Sequence, residues 1–329
     1  MVKVRKAFRL IGFALIAVFL LAARSEIKAQ TDEFPNRPIQ LVVPFTPGAS
    51  TDLAARFLAP YLSDELGKPV LVENRPGAGG VVGASYVAKA KPDGHTLLVA
   101  SSTVLQSPLL QQTPSFDATT NFAAVTAVLQ HPFSVVISSK LPVHTLAEFV
   151  AYAKANPGKV NTASLGGFSD VLSAMFIHDA GIQAQIVPYR GAAEAMIGLI
   201  RGDSHLLFTV YGAVQGQIAS DQVRLIGLTS ANRSPLLPDV PTLAELGLKG
   251  FDVINVIGIL APAGTPAPVV DRLSKLVAKV MSTQAGRDFV KSTSTDPVSD
   301  FSPAYYAAMI AAADKKYRQV IDELHIAKQ

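Results

Sequence analysis

Short apolar runs alternate with helical stretches along almost the whole chain, and few architectures accept that order. Residues 39–45 (IQLVVPF) are nearly all apolar, as a strand buried on both faces of a parallel sheet requires. Pro47, Gly48, Ala49 and Ser50 then turn the chain. Residues 51–66 read as a helix with Leu53, Phe57 and Leu62 inward, ended by Gly67, and Pro60 is expected to kink or break it. A strand at 70–73 (VLVE), a turn at 74–80, a helix at 81–90, a turn at Pro92-Asp93-Gly94 and a strand at 96–100 (TLLVA) complete a doubly wound α/β lobe. The pattern then recurs, with strands at 134–138, 160–163, 186–189 and 206–210 separated by helices near 145–155, 169–180 and 192–201. Further strands are expected at 224–229 and 256–260. Two amphipathic helices close the chain, one from Pro266 and one from the Ser302-Pro303 cap. At ~100–200 residues per domain, 329 residues fit two such lobes.

The N-terminus constrains the compartment. Lys3, Arg5, Lys6 and Arg9 precede an uninterrupted apolar run over 10–23, which is short of the ~20 residues that span a bilayer and suits an export signal. Cleavage is expected near Ala29, with Gln30 leading the mature chain in the periplasm. Net charge is +4, from 29 Lys and Arg against 25 Asp and Glu. Residues 1–29 carry six of those cations and one acid, so the remainder holds 23 and 24 and a net charge of −1. Nucleic-acid binding thereby loses its electrostatic support. With no cysteine there is no disulfide framework, thiolate metal site or lipid-modified Cys anchor.

Enzyme signatures are missing. There is no GxSxG elbow and no HExxH pair, and the six histidines are scattered without metal-ligand spacing. Gly77, Gly79, Gly80 and Gly83 miss the GxGxxG spacing because Val82 takes the third glycine position; they read as a tight turn allowing close backbone approach, and secondarily as a cleft rim. No catalytic residue, cofactor or metal is therefore expected.

Several segments together resemble one family. They are Arg37-Pro38-Ile39 through Val42-Val43-Pro44-Phe45, Pro47-Gly48 with Asp52 and Ala55-Arg56, and Glu73-Asn74-Arg75-Pro76-Gly77-Ala78-Gly79-Gly80. Lys91-Pro92-Asp93-Gly94, Val187-Pro188-Tyr189-Arg190-Gly191, Leu237-Pro238-Asp239-Val240-Pro241-Thr242 and Leu260-Ala261-Pro262-Ala263-Gly264-Thr265-Pro266 extend the match over essentially the whole mature chain. The chain resembles the substrate-binding subunits of tripartite tricarboxylate transporters, the Bug family. The resemblance implies a type II periplasmic-binding-protein, or Venus-flytrap, architecture with two crossovers and a cleft between the lobes. It places lobe 1 at 30–130 and 228–329 and lobe 2 at 131–227. It also implies a small carboxylate ligand, either a di- or tricarboxylate or an aromatic carboxylate, and integral-membrane permease subunits as partners of a monomer. A sensory protein docking on a signalling receptor is the alternative function, and a periplasmic hydrolase the third.

Ligands of doubly wound sheets sit beyond the carboxyl ends of the strands, where strand order reverses. In the first lobe that selects Thr46, Gly48, Ala49, Ser50 and Thr51 after the first strand, and Ser101, Ser102 and Thr103 after the third. In the second it selects Ser164, Gly166, Gly167, Phe168, Tyr189, Arg190, Thr209 and Tyr211. Backbone N–H groups at helix N-termini and hydroxyls can hold a carboxylate without a cation. Ser50 and Thr51 could equally cap a helix, Asp52 and Arg56 form a surface ion pair, and Glu194 neutralise Arg190. The chain departs from the family pattern at Ala49, Val171, Met175, Thr209 and Val256, where a Gly, a His, a Glu, an acidic residue and an aromatic are common. Losing the acidic group favours an anionic or aromatic carboxylate over an acidic amino acid.

Overall fold

The first sheet grows from β1 (Ile39–Val43), a five-residue strand with only Gln40 incompletely buried. It pairs in parallel with β2 (Val70–Asn74) on one side and β3 (Thr96–Ser101) on the other. The computed structural model describes residues 34–328, so the export signal and its cleavage near Ala29 lie outside the described residues. The elements that follow all belong to the compact unit beginning at Pro38.

Helix α1 (Ser50–Leu66) buries Ala54, Ala55, Leu58, Ala59 and Leu62 and ends on Gly67 in the left-handed region. Leu53, expected inward, is 43% exposed, because the small alanines take the closely packed face. The helix runs unbroken through Pro60, which is exposed, so water can take the carbonyl that the missing N–H would have served. Helix α2 (Val81–Ala88) packs closely on the end of β1: a Cβ on Gly83 would meet the Arg75 carbonyl oxygen at 2.8 Å and Pro44 Cα at 3.0 Å.

The short α3 (Ser102–Gln106) follows β3 directly. Then comes β4 (Phe122–Pro132), a long strand for which the alanine-rich sequence had no strand pattern. The chain crosses into the second sheet through β5 (Ser134–Ser138), α4 (Leu146–Ala155), β6 (Val160–Ser164), α5 (Phe168–Ala180), β7 (Ala184–Pro188), α6 (Ala192–Arg201), β8 (Leu206–Thr209), the short α7 (Gln215–Ala219) and β9 (Val223–Leu228). It returns through β10 (Ile254–Pro262), followed by α8 (Ala267–Met281), α9 (Gln284–Ser292) and α10 (Pro303–Glu323). Strand orders are β2-β1-β3-β10-β4 and β7-β6-β8-β5-β9. Both sheets are mixed rather than wholly parallel. The strand entering after each crossover, β5 or β10, lies antiparallel to both its neighbours.

The crossovers are laced together. Thr229 Oγ1 accepts the Phe133 N–H at 2.8 Å and donates to the Val253 carbonyl at 2.7 Å. The Thr229 N–H donates to the Phe133 carbonyl at 3.0 Å, and the Val253 N–H to that of Thr229 at 2.7 Å. Helix α10 ties the halves further. Tyr306, Met309 and Ile310 pack with the core of the first sheet, whereas Tyr317 and Ile321 pack with Phe168 and Phe176 beside the second.

His131, at the exit of β4, is buried. Burial pushes its imidazole down to about 4, and Asn255 Nδ2 lies 3.2 Å from its Nε2. A neutral ring accepting there carries its proton on Nδ1, which faces the Pro132 carbonyl.

Replacing Thr229 with Val keeps the shape but strands two backbone groups, and should cost about 2–4 kcal/mol in chemical denaturation, with Thr229→Ser retaining most of the stability. A loss below 1 kcal/mol for Thr229→Val would remove the lacing from the account. For His131, the unfolded imidazole titrates near ~6.5 and the folded one near 4. The unfolded chain thus binds the extra proton in that window, and stability falls as pH drops through it. His131→Gln should abolish about 2–3 kcal/mol of the decline between pH 6.5 and 4.5. Parallel denaturation curves for both proteins across that range would refute this.

Candidate functional site

A cavity of about 790 Å³ lies where the strand ends of both sheets meet. One wall comes from the first lobe: Phe45 after β1, Ala78, Gly79 and Val81 at the start of α2, and Thr103, Ser107, Leu110 and Gln111 after β3. The opposite wall is Leu165–Ser169 and Leu172 after β6, Ala192 at the start of α6, Phe208 and Thr209 at the end of β8, and Val210 and Ala213 after it. Phe133, in the first crossover, lines it as well. The strand order reverses beside β1 in one sheet and beside β6 in the other, which is why loops from both splay apart there.

Three helices begin at this cavity: α2 after Gly80, α5 after Gly167 and α6 after Gly191, and none has a side-chain cap. The same holds for α1, α7 and α8, whereas three other helices carry side-chain caps. Thr145 forms a full capping box on α4, and Thr283 and Ser302 cap α9 and α10. Each of these N-termini carries roughly half a positive charge, although the Val82 N–H is already engaged by the Gly77 carbonyl, that of Ser169 by Gly166 and that of Asp170 by Gly167.

Asp52 holds the loop after β1. Its Oδ2 accepts the Gly48 N–H and Arg56 Nε, both at 2.9 Å, and its Oδ1 accepts Asn74 Nδ2 at 2.8 Å. The same Asn74 nitrogen donates to the Phe45 carbonyl at 2.9 Å. Burial pushes the Asp52 carboxyl up, but the bonds from Arg56, Gly48 and Asn74 outweigh it and hold it below the usual carboxylate range. The expected Asp52–Arg56 pair forms, with Arg56 half exposed, but Asp52 itself is buried and also clamps the loop.

On the opposite wall, Ser164 Oγ donates to the Asp170 carboxylate and accepts the Gly166 N–H at 2.9 Å, while the Leu165 N–H donates to Ser169 Oγ at 3.2 Å. Gly166 and Gly167, at φ of 78° and 58°, supply the left-handed backbone that this turn needs.

Of the residues selected from sequence, the structure brings Thr103, Gly166, Gly167, Phe168 and Thr209 to the cavity. Thr46, Gly48 and Ala49 lie on the clamped loop beside it, with the Ala49 N–H on the Thr46 carbonyl at 3.4 Å. Ser50 lines a smaller cavity of about 260 Å³ that shares Val210 and Ala213 with the large one. Thr51 is buried in the first turn of α1. Ser101 bonds Thr103 at 2.7 Å, Ser102 Oγ is engaged by the Val256 backbone, and Ser164 serves its own turn. Tyr189 packs its ring on Gly198 and bonds Ser204; Glu194 accepts the Arg190 backbone N–H at 2.9 Å. Tyr211 lines a separate small cavity with His131 and Ser134. Sequence reasoning did not select Phe45, Val81, Leu110, Phe133, Leu172, Ala192 or Phe208. Phe45 and Ala192 directly follow features that were read correctly, a strand end and a turn into a helix.

The chain matches the family model described as "Tripartite tricarboxylate transporter family receptor" over residues 54–326. Among solved structures, periplasmic binding protein BugD is similar with 31% identity and a TM-score of 0.75, covering 90% of this chain and 100% of that one. Rpa4515 of R. palustris, solved with adipate, shows 29% identity and a TM-score of 0.77 over 90% of this chain and 99% of its own. MatC from Rhodopseudomonas palustris, with bound malate, shows 27% and 0.74 over 88% and 100%. The two α/β lobes, the strand-end cavity and a match spanning most of the chain agree: this chain belongs to the tripartite tricarboxylate transporter receptor family, alongside the Bug proteins.

Proposed function

We propose that the chain is a periplasmic receptor that captures a small carboxylate-bearing molecule between its lobes and delivers it to integral-membrane permease subunits. The observation that carries this reading is the set of three uncapped helix N-termini opening into one cavity, with no charged side chain among the described residues that line it. Such N-termini favour an anion, and a closed cleft strengthens their pull by excluding water. Adipate in one similar structure and malate in another fit the same chemistry. The lobes divide near residues 131 and 228 and rotate about the Phe133–Thr229–Val253 lacing, so that capture requires no catalytic group. The mature protein acts as a monomer after the first 29 residues are removed near Ala29.

A thermal-shift panel tests the reading. A carboxylate at 100 times its Kd should stabilise the protein by ~2.7 kcal/mol. Stabilisation only by neutral or cationic compounds would overturn it. Asp52→Ala frees the loop carrying Phe45 without touching the cavity wall, and should weaken carboxylate binding at least about tenfold, or ~1.4 kcal/mol. Arg56→Ala should cost less, because Gly48 and Asn74 still hold the carboxylate. Calorimetric affinities unchanged in Asp52→Ala would show that the clamp does not position the site.

A further inference from the structure

Three consecutive residues of α10, Lys316, Tyr317 and Arg318, reach three different parts of the molecule. Lys316 Nζ donates to the Gly250 and Asp252 carbonyls at 3.1 and 3.0 Å, on the return path just before β10. Arg318 Nη2 donates to Asp117 Oδ2 at 2.9 Å, in the first lobe between α3 and β4, and its Nε to Asp314 at 2.8 Å. Between them Tyr317, 3% exposed, meets Phe168 edge-on at 4.6 Å between ring centroids. Phe168 opens α5 and belongs to the cavity wall, and Tyr317 stands behind it. The wall needs outside support at this point. Gly166 and Gly167 precede Phe168, and two successive glycines leave the backbone more freedom than other residues would. A perpendicular ring pair contributes beyond its buried area and also fixes orientation.

We propose that Tyr317 is a positioning residue for the ligand cavity. Anchored through Lys316 and Arg318, its ring holds Phe168 and so sets residues 165–169 of the second-lobe wall. The proposal rests on the receptor reading above and adds a group that shapes the cavity from outside it.

Amide hydrogen exchange tests the support without needing a ligand. Tyr317→Leu should speed exchange across residues 165–172 by about tenfold or more, whereas Tyr317→Phe, which keeps the ring edge, should leave it nearly unchanged. Phe168→Leu breaks the same contact from the other side and should reproduce the pattern. Tyr306→Leu, in the first-lobe half of the same helix, should leave 165–172 as they were. Unaltered exchange in Tyr317→Leu and Phe168→Leu overturns the proposal, as does an equal increase in Tyr306→Leu, which would mark general loosening. Calorimetry with malate, adipate, citrate and benzoate then reads the consequence for binding. Tyr317→Leu should weaken whichever acid binds by about fivefold or more, and Tyr317→Phe should not. Equal affinities in Tyr317→Leu and the unaltered protein overturn the positioning role and leave the carboxylate reading standing. Absence of binding by all four acids overturns that reading instead, with the support of Phe168 still decided by exchange.

Discussion

Everything that the cavity needs depends on how the chain passes between its two sheets. At the crossing, one hydroxyl, that of Thr229, joins Phe133 on the outgoing path to Val253 on the return. Buried backbone groups must be paired, and a site where two extended segments run side by side between lobes has no helix or sheet ladder to pair them all. The Thr229 side chain supplies the missing bonds while leaving the segments thin. Phe133 sits at this crossing and also lines the cavity, so the crossing and the pocket share a residue.

The walls are built by a second economy of hydrogen bonds. Polar side chains at the loop tips are spent on the loops themselves: Asp52 on Gly48, Arg56 and Asn74, and Ser164 on Asp170 and Gly166. The surface left lining the cavity consists of apolar side chains, helix N-termini and a few neutral polar side chains such as Thr103, Gln111 and Thr209. Rigid donors of this kind attract an anion without an opposing cation, whose own desolvation would cost energy. The same division separates the buried His131 from the ligand wall. It lies at the exit of β4, where burial holds its imidazole well below the usual histidine range.

Much of the architecture was legible in the residues. Strands at 134–138 and helix Ala192–Arg201 occur as read, because continuous β-branched runs and clear turn signals leave few alternatives. Strand β4 was not legible. Its FAAVTAVLQHP sequence has neither alternation nor β-branched density, and it is extended because β10 pairs along nearly its full length. Site residues divide in the same way. Thr103, Gly166, Gly167, Phe168 and Thr209 follow from the rule that ligands gather at strand ends. Whether a hydroxyl there faces the cavity or its own backbone, as for Ser102 and Ser164, depends on neighbours far away in sequence.

Local chemistry in the chain therefore determined the alternation of elements, the two lobes and the loops from which a pocket would be made. Those properties arise from periodicity, turn residues and caps, which act over a few positions. Tertiary structure alone decided that Asp52 is a buried clamp, that Thr229 laces the crossovers, and that four phenylalanines from separate segments share one cavity. Each of these requires groups distant in sequence to meet, and pairing across such distances leaves no local trace.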